Sequence, residues 1–372
     1  MNTDELYYSA IDLLKTLIEI PSLSREENEA ANKVENFIIE KGLHANRKNN
    51  NIWCIAPGYD VHKPTILLNS HIDTVKPVSA WKRNPFSAVE ENGRIYGLGS
   101  NDAGASLVSL LHVFLYLSKK EQPYNLIFLA SSEEEISGKN GIESVLTELP
   151  PIHFAVVGEP TQMNPAIAEK GLMVLDCSVY GKSGHAARNE GDNAIYKSLK
   201  IIEKFRDFKF PKNSDILGPV KLSVTMIQSG TQHNVIPDRC NFVVDVRTNE
   251  LYSNQDALTI LKENIPCEIV PRSLRLNSSR IGKEHPFILR AEILGLIPFG
   301  SPTLSDQALM PFTSVKIGPG DSSRSHTADE YIETNEIREG IELYIKLLDN
   351  LNYLKACLNF ARSALRVSFE TV

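Results

Sequence analysis

Cysteine is scarce in this chain and has no pattern. Cys54, Cys177, Cys240, Cys267 and Cys357 are scattered, odd in number and form no CxxC pair. That fits reduced thiols and argues against a cysteine-based zinc site. No apolar run is long enough to span a bilayer, so no membrane partner is expected. Met1-Asn2-Thr3-Asp4-Glu5 is acidic and lacks the apolar stretch of a secretory signal, which makes the cytoplasm the expected compartment. Basic charge is also short. There are 39 Lys+Arg against 46 Asp+Glu, a net charge of −7, which argues against a nucleic-acid surface. The GxSxG elbow of a serine hydrolase, a Walker A loop and a dinucleotide fingerprint are all missing. So are internal repeats and low-complexity segments.

What is present is ordinary in bulk: 372 residues, 42% hydrophobic and 23% charged. That length exceeds one ordinary core, so two domains are expected. Apolar residues at helical spacing (Leu6, Ile11, Leu14, Leu17, Ile18) predict a helix ended by Pro21. Ser24-Arg25-Glu26-Glu27 has the pattern of a capping box opening a second helix, closed by Gly42. Strands are predicted at 51–56, 65–73, 125–131 and 154–157. A glycine-punctuated turn over 93–99 leads Asp102 into a long apolar helix, 103–119. Alternating strands and helices predict an α/β fold: a mostly parallel sheet flanked by helices. In such sheets ligands bind beyond the carboxyl ends of the strands.

From 173 the pattern changes to β-α-β-β-α-β: strands at 173–180, 222–228, 241–247 and 268–270, helices at 192–207 and 254–264. This predicts a ferredoxin-like α+β domain inserted into the first. The expected organisation is a catalytic domain in two parts, 1–172 and 286–355, an insert over 173–285, and a C-terminal tail, 356–372.

The chain is organised around Phe128-Leu129-Ala130-Ser131-Ser132-Glu133-Glu134-Glu135. A buried strand runs straight into three glutamates, whose mutual repulsion calls for a positive partner. Hard oxygen ligands suit a divalent cation, and the plain alternative is a solvated acidic loop. His71-Ile72-Asp73 is an HxD at a strand end, where a carboxylate can steer a metal-ligating imidazole from behind. Each further candidate also has a plain alternative: a helix N-cap for Asp102, a surface turn for Glu159, a loop histidine for His326. Taken together, two histidines and three carboxylates are the donor count for two four-coordinate zinc ions that share one carboxylate, with one glutamate left as a base.

Five landmarks carry a resemblance. They are Ser70-His71-Ile72-Asp73, Gly97-Leu98-Gly99-Ser100-Asn101-Asp102, Glu133-Glu134-Glu135, Gly158-Glu159-Pro160-Thr161, and Gly318-Pro319-Gly320 leading to His326. In order and spacing the chain resembles the M20 metallopeptidases over about residues 5 to 352. The resemblance implies a zinc-peptidase-like fold whose insert is a lid and dimerisation domain. It implies two Zn2+, for which Co2+ can substitute: one on His71, Asp102 and Glu159, the other on Asp102, Glu135 and His326. Glu134 would be the base and Asp73 the carboxylate behind His71. Ala103-Gly104-Ala105 departs from the family's frequent Met-Lys-Gly without loss of a ligand.

In the insert, Gly184-His185, Asn234 and Arg247 match the family's substrate-gripping residues, as do Gly318 and Gly320 in the glycine loop. A polar loop residue is the alternative for His185, and a surface salt bridge the alternative for Arg247. The implied activity is removal of the N-acyl group from a small N-acyl amino acid. Glu159 as a glutamate, with the overall length, points to the acetylornithine deacetylase branch of arginine biosynthesis. Succinyl and citrulline variants, the desuccinylases, di- and tripeptidases and glutamate carboxypeptidases are the alternatives, with a non-catalytic binding protein as the alternative outside enzymes. The resemblance also implies a homodimer through the insert, with His185 reaching the partner's site.

Overall fold

The computed structural model describes residues 2–188 and 190–352. The tail expected at 356–372 lies outside the described residues. The chain divides into two compact units. One takes the residues up to Ile167, Ile281–Phe299 and those from Ser305 onward; the other takes Ala168–Arg280 and Gly300–Leu304.

The first unit is built on a sheet whose order is Asn46–Lys48, Asn51–Ile55, Asn125–Ser131, Thr65–His71, Phe154–Val157, Ser314–Lys316 and the strand begun at Ala166. The four strands from Asn125–Ser131 to Ser314–Lys316 run parallel, and antiparallel strands lie outside them. The parallel strands are unbroken apolar runs, such as Ile66-Leu67-Leu68 and Leu126 to Ala130, and every residue in Thr65–His71 and Asn125–Ser131 is buried. Strands covered on both faces need that composition, because neither face meets water. Helix Ala105–Leu117 is likewise buried at every position except Tyr116, and it packs against helices Thr3–Ile18 and Thr334–Leu348.

Two local expectations change. Helix Asn28–Glu40 forms, but Ser24 does not cap it, and its first turn carries no side-chain cap. The Ser24 hydroxyl instead donates to Asp73 Oδ2 at 2.7 Å. The strand Ala166–Glu169 goes unmarked in the sequence, since a short run with two alanines has little strand character of its own. Sheet pairing makes it a strand.

The second unit has a four-stranded antiparallel sheet in the order Lys221–Ser229, Arg239–Arg247, Met173–Tyr180, Glu268–Pro271. Its two helices are Ala194–Asp207 and Asn254–Asn264, started by Asn193 and Ser253 side-chain caps. This is the ferredoxin-like arrangement. Its core takes alternate residues of the strands (Leu175, Cys177, Val179; Phe242, Val244, Val246) with Phe205 and Leu261 from the helices.

Candidate metal centre

The parallel strands stop at His71, Ser131, Val157 and Lys316, and a short loop leaves each end. Those loops carry Asp73, Glu133 to Glu135, Glu159, and Gly318 to His326. All five expected ligands, and Glu134 with them, belong to the first unit.

His71 is buried at 2% exposure. Its Nδ1 lies 2.9 Å from the Asp73 main-chain carbonyl and 3.6 Å from Asp73 Oδ1, so main chain and carboxylate together fix the ring. Nε2 is aimed at Asp102 Oδ1, 3.3 Å away, and at Glu159 Oε1, 3.7 Å away. The other Asp102 oxygen lies 3.7 Å from His326 Nε2, which is also 2.9 Å from Glu135 Oε2. Asp102 therefore stands between the two imidazoles, one oxygen towards each. It does not cap the following helix, whose N-cap is Gly104.

Two groups of donors have atoms within 4.8 Å of one another: His71, Glu134 and Glu159, and His71, Asp102 and Glu135. Glu134 is thus among the donors as well as beside them. A set of nitrogen and carboxylate oxygen donors at this spacing suits zinc and its neighbours.

Glu134 and Glu135 are aimed by their own main chain. Glu133 adopts a left-handed φ of +55°, which turns the chain sharply. The amides of Glu134 and Glu135 then donate to Asp73 Oδ1 and Oδ2, at 3.0 and 3.2 Å. Asp73 thereby links His71, Ser24 and the glutamate turn.

The electrostatics show the strain of this assembly. Burial pushes the Glu134 carboxyl well above the usual range, and the charges of Glu159, Asp306 and Glu135 add to it against the pull of His71. Burial does the same to Glu159 and raises Glu135 as well, with Asp102 adding to both. Burial alone would lower His71, but the Asp102 and Asp73 bonds and the Glu159 charge hold it protonated far above its ordinary value. The Glu135 bond raises His326 to about 9. Burial opposes ionisation of Asp73 and Asp102 too, yet the His71 bonds keep both below the usual range. Protons on two imidazoles supply the positive charge that the carboxylates need.

The expected residues of the second unit are placed differently. His185 is exposed on the short strand Gly184–His185, which pairs with Val235–Ile236 next to Asn234. Its Nδ1 accepts the Ala187 amide at 3.1 Å. Arg247 forms a two-bond pair with Asp245, at 2.8 and 3.1 Å, so the salt bridge left open as its alternative is present. In the first unit, Gly318 and Gly320 are required by close packing. A Cβ at Gly318 would lie 2.2 Å from Ser106 Oγ and 2.5 Å from the Glu159 carbonyl; one at Gly320 would lie 2.4 Å from Asn101 Oδ1. Gly104 of the departing Ala103-Gly104-Ala105 segment is equally confined: a Cβ there would lie 2.4 Å from the Gly99 carbonyl oxygen.

Four residues of the site carry no sequence signal of their own. Ser24 matches a capping box that does not form. Glu27, fully buried, accepts the Arg25 and Glu133 amides at 2.6 and 3.3 Å. Asp306 accepts Ser131 Oγ at 2.6 Å and Asn69 Nδ2 at 2.9 Å. Glu330, 2% exposed, accepts the amides of Gly99, Asn101 and Asp102. Acidic residues in loops normally signal solvated surface, and only the fold turns these inward.

These shifts fix a pH dependence for the metal-free protein. A buried acid with a raised pKa stabilises the fold at low pH and loses that contribution as pH climbs through the folded value. A histidine with a raised pKa does the same. Glu134, Glu135, Glu159, His71 and His326 therefore all act in one direction. The melting temperature of the metal-free protein should rise as pH falls from about 8.5 to about 6, and the trend should reverse only below about pH 4, where the unfolded chain takes protons that Asp73 and Asp102 in the fold still resist. Saturating divalent ion, which competes with the same protons, should flatten or invert the slope. Scanning calorimetry with and without chelator checks both.

The chain matches peptidase family M20/M25/M40 over residues 67–350. It is 26% identical over 344 residues to a succinyl-diaminopimelate desuccinylase of Orientia tsutsugamushi (strain Ikeda), covering 86% of this chain and 84% of that protein. It is 26% identical over 381 residues to an acetylornithine deacetylase of Buchnera aphidicola subsp. Schizaphis graminum, covering 93% and 98%. Among solved structures, an aminopeptidase from Bacillus cereus superposes with a TM-score of 0.73 at 18% identity, covering 94% of this chain and 99% of that one. A dinuclear metal-binding peptidase of the M20 family from Bacillus subtilis superposes with a TM-score of 0.72 at 17% identity, covering 93% and 98%. The ring of histidines and carboxylates beyond the parallel strands sits on that shared fold, and the chain belongs to peptidase family M20/M25/M40.

Proposed function

We propose that this metal-dependent amide hydrolase removes the acyl group from a small N-acyl amino acid, with N-acetylornithine the first substrate to test. The carrying observation is the ring of His71, Asp102, Glu135, Glu159 and His326 with Glu134 half-buried beside it. Relatives named for deacetylation of acetylornithine and desuccinylation of succinyl-diaminopimelate, similar over most of the chain, support the substrate class.

His71, Asp102 and Glu159 would hold one divalent ion, and Asp102, Glu135 and His326 the other. Zinc is the proposed metal. Bound ions supply Lewis acidity at the amide carbonyl and make water a nucleophile near neutral pH. Glu134, with its pKa raised, takes a proton from the attacking water and delivers it to the leaving nitrogen. Asp73 holds the His71 ring and the Glu134 amide in one frame. His185 donates to the carbonyl oxygen as negative charge gathers there. Arg247 offers two parallel donors to a substrate carboxylate, which takes the place of Asp245 as its partner. The resemblance gives substrate-binding roles to Asn234, which precedes strand Val235–Ile236 paired with His185, and to the loop glycines Gly318 and Gly320 as well.

A homodimer through the second unit is part of this proposal. Strand Lys221–Ser229 is an open sheet edge on which Met226 and Ile227 are 64% and 57% exposed. Helix Ala194–Asp207 packs beside that strand and exposes Tyr196 and Leu199. Apolar side chains in such number on one edge and the neighbouring helix suit pairing with a second copy.

Two experiments test the assignments. Hydrolysis of a panel of N-acetyl and N-succinyl amino acids, set against dipeptides, should favour the acylated amino acids, and dipeptides as the better substrates would refute the deacylase reading. On the best substrate Glu134→Gln should keep its metal and lose about two to four orders of magnitude in kcat, whereas Glu135→Ala should lose metal. The reverse pattern would exchange the two roles. For the dimer, His185→Ala and Glu134→Gln are each expected to be inactive, and mixing them should restore part of the activity once subunits exchange. A mixture that stays inactive despite proven exchange would show that His185 does not act across the dimer.

A further inference from the structure

Glu330 lies outside every role assigned so far, yet it is one of the most deeply buried acids in the chain, at 2% exposure. Among the described residues no lysine or arginine is bonded to it; the Asp102 charge, of its own sign, acts against it, and it in turn acts on His326. Its partners are three consecutive-loop amides. Oε1 accepts Asn101 N at 2.8 Å and Asp102 N at 2.9 Å, and Oε2 accepts Gly99 N at 3.2 Å. Its own main-chain carbonyl accepts a fourth amide, from Gly97, at 3.0 Å.

Those amides belong to the turn that presents Asp102, where regular helical dihedrals break down: φ is −117° at Asp102 and −121° at Ala103. Two main-chain bonds, from Gly104 N to the Gly99 carbonyl at 2.9 Å and from Ala105 N to the Ser100 carbonyl, span that turn, while the amides of Asn101 and Asp102 inside it go to Glu330. Glu330 also stands four residues beyond His326, on the same loop, just before strand Tyr331–Glu333. That strand pairs with Arg94–Tyr96, which leads into the Asp102 turn. The same two loops meet a second time through Asn101, whose Oδ1 accepts Asp321 N at 3.0 Å and whose Nδ2 donates to the Asp321 carbonyl at 3.1 Å. One carboxylate thus spans the turn that carries Asp102 and the loop that carries His326. Asp102 and His326 are two of the three residues assigned above to the second ion. His71 and Glu159, which complete the first ion's set, sit on strand ends that Glu330 does not touch.

We propose that Glu330 is a positioning residue that sets the second metal position, by holding the Asp102 turn in register with the His326 loop. The proposal rests on the paired-ion reading above. Burial of a carboxyl group is costly unless its oxygens are hydrogen-bonded, and the three aligned amides satisfy Glu330 only while the turn keeps its shape. The energy that keeps Glu330 buried is therefore the same energy that holds the Asp102 carboxylate between the two histidines. Partners of this kind, one shell out from a metal, change affinity by about 10- to 100-fold when removed.

The test is a Co2+ titration of metal-free full-length protein followed by visible absorption, which reads each ion's binding and geometry without turnover. The wild type is titrated first and should bind two ions; uptake of a single ion would defeat the paired-ion reading itself, and this proposal with it. In Glu330→Ala the second ion should bind about 10- to 100-fold more weakly with an altered absorption band, and the first, which shares Asp102 but keeps His71 and Glu159, should weaken by less. Glu330→Gln keeps one oxygen for Asn101 and Asp102 but sets an amide group against Gly99, so its second-ion affinity should fall between the two. At limiting metal the substrate KM should hold within about threefold while kcat falls with second-ion occupancy. If Glu330→Ala only lowers the melting temperature and binds both ions with wild-type affinity and spectrum, Glu330 merely braces the fold and the proposal fails. If Glu330→Ala does not fold, Glu330→Gln decides: wild-type binding of the second ion in that variant overturns the assignment.

Discussion

The first unit is organised by one constraint: negative charge is gathered in half-buried loops that little water reaches. Glu134, Glu135, Glu159 and Asp102 lie within a few ångströms of one another beyond the ends of four buried parallel strands. Uncompensated, buried charges of one sign cost several kcal/mol each. In the metal-free chain, protons carry the compensation. They are held on His71 and His326 and on the carboxyls that burial makes reluctant to ionise. A divalent ion replaces several such protons with one compact charge, so the fold and the ion favour one another.

The rest of the unit keeps those donors from relaxing apart. Asp73 takes four bonds or close contacts from different segments, binding the His71 ring, the Ser24 hydroxyl and the amides of Glu134 and Glu135. Glycine loops do similar work by absence of bulk. With hydrogen in place of Cβ at Gly318 and Gly320, the Gly318 to His326 segment lies directly against the Glu159 carbonyl and the Asn101 side chain. Such an arrangement is preorganised: little rearrangement is left to be made when ligand or substrate arrives.

Much of this was legible in the sequence because its strongest signals are local. Continuous apolar runs marked the parallel strands, and the polar residues after them marked the edge at which His71, Glu135 and Glu159 gather. The ferredoxin-like insert followed from strand and helix alternation alone. What stayed hidden depends on distant partners. Ser24 fits a capping box, but Asp73, 49 positions away, takes its hydroxyl. Glu27, Asp306 and Glu330 look like solvated acids until the fold surrounds them with amides and hydroxyls. Ala166–Glu169 becomes a strand by pairing rather than by propensity. Arg247 shows the converse: its motif points to a ligand, and in the chain by itself Asp245 already satisfies it.

The central claim is that Asp102 stands between two ions, with Glu134 free of both. A crystal of the zinc-loaded protein, with diffraction data collected at wavelengths either side of the zinc absorption edge, tests it directly. The account predicts two anomalous peaks per chain, one within bonding distance of His71, Asp102 and Glu159 and the other of Asp102, Glu135 and His326, with Glu134 bonded to neither. A single peak, or a peak bonded to Glu134 through the His71, Glu134 and Glu159 group, would contradict it.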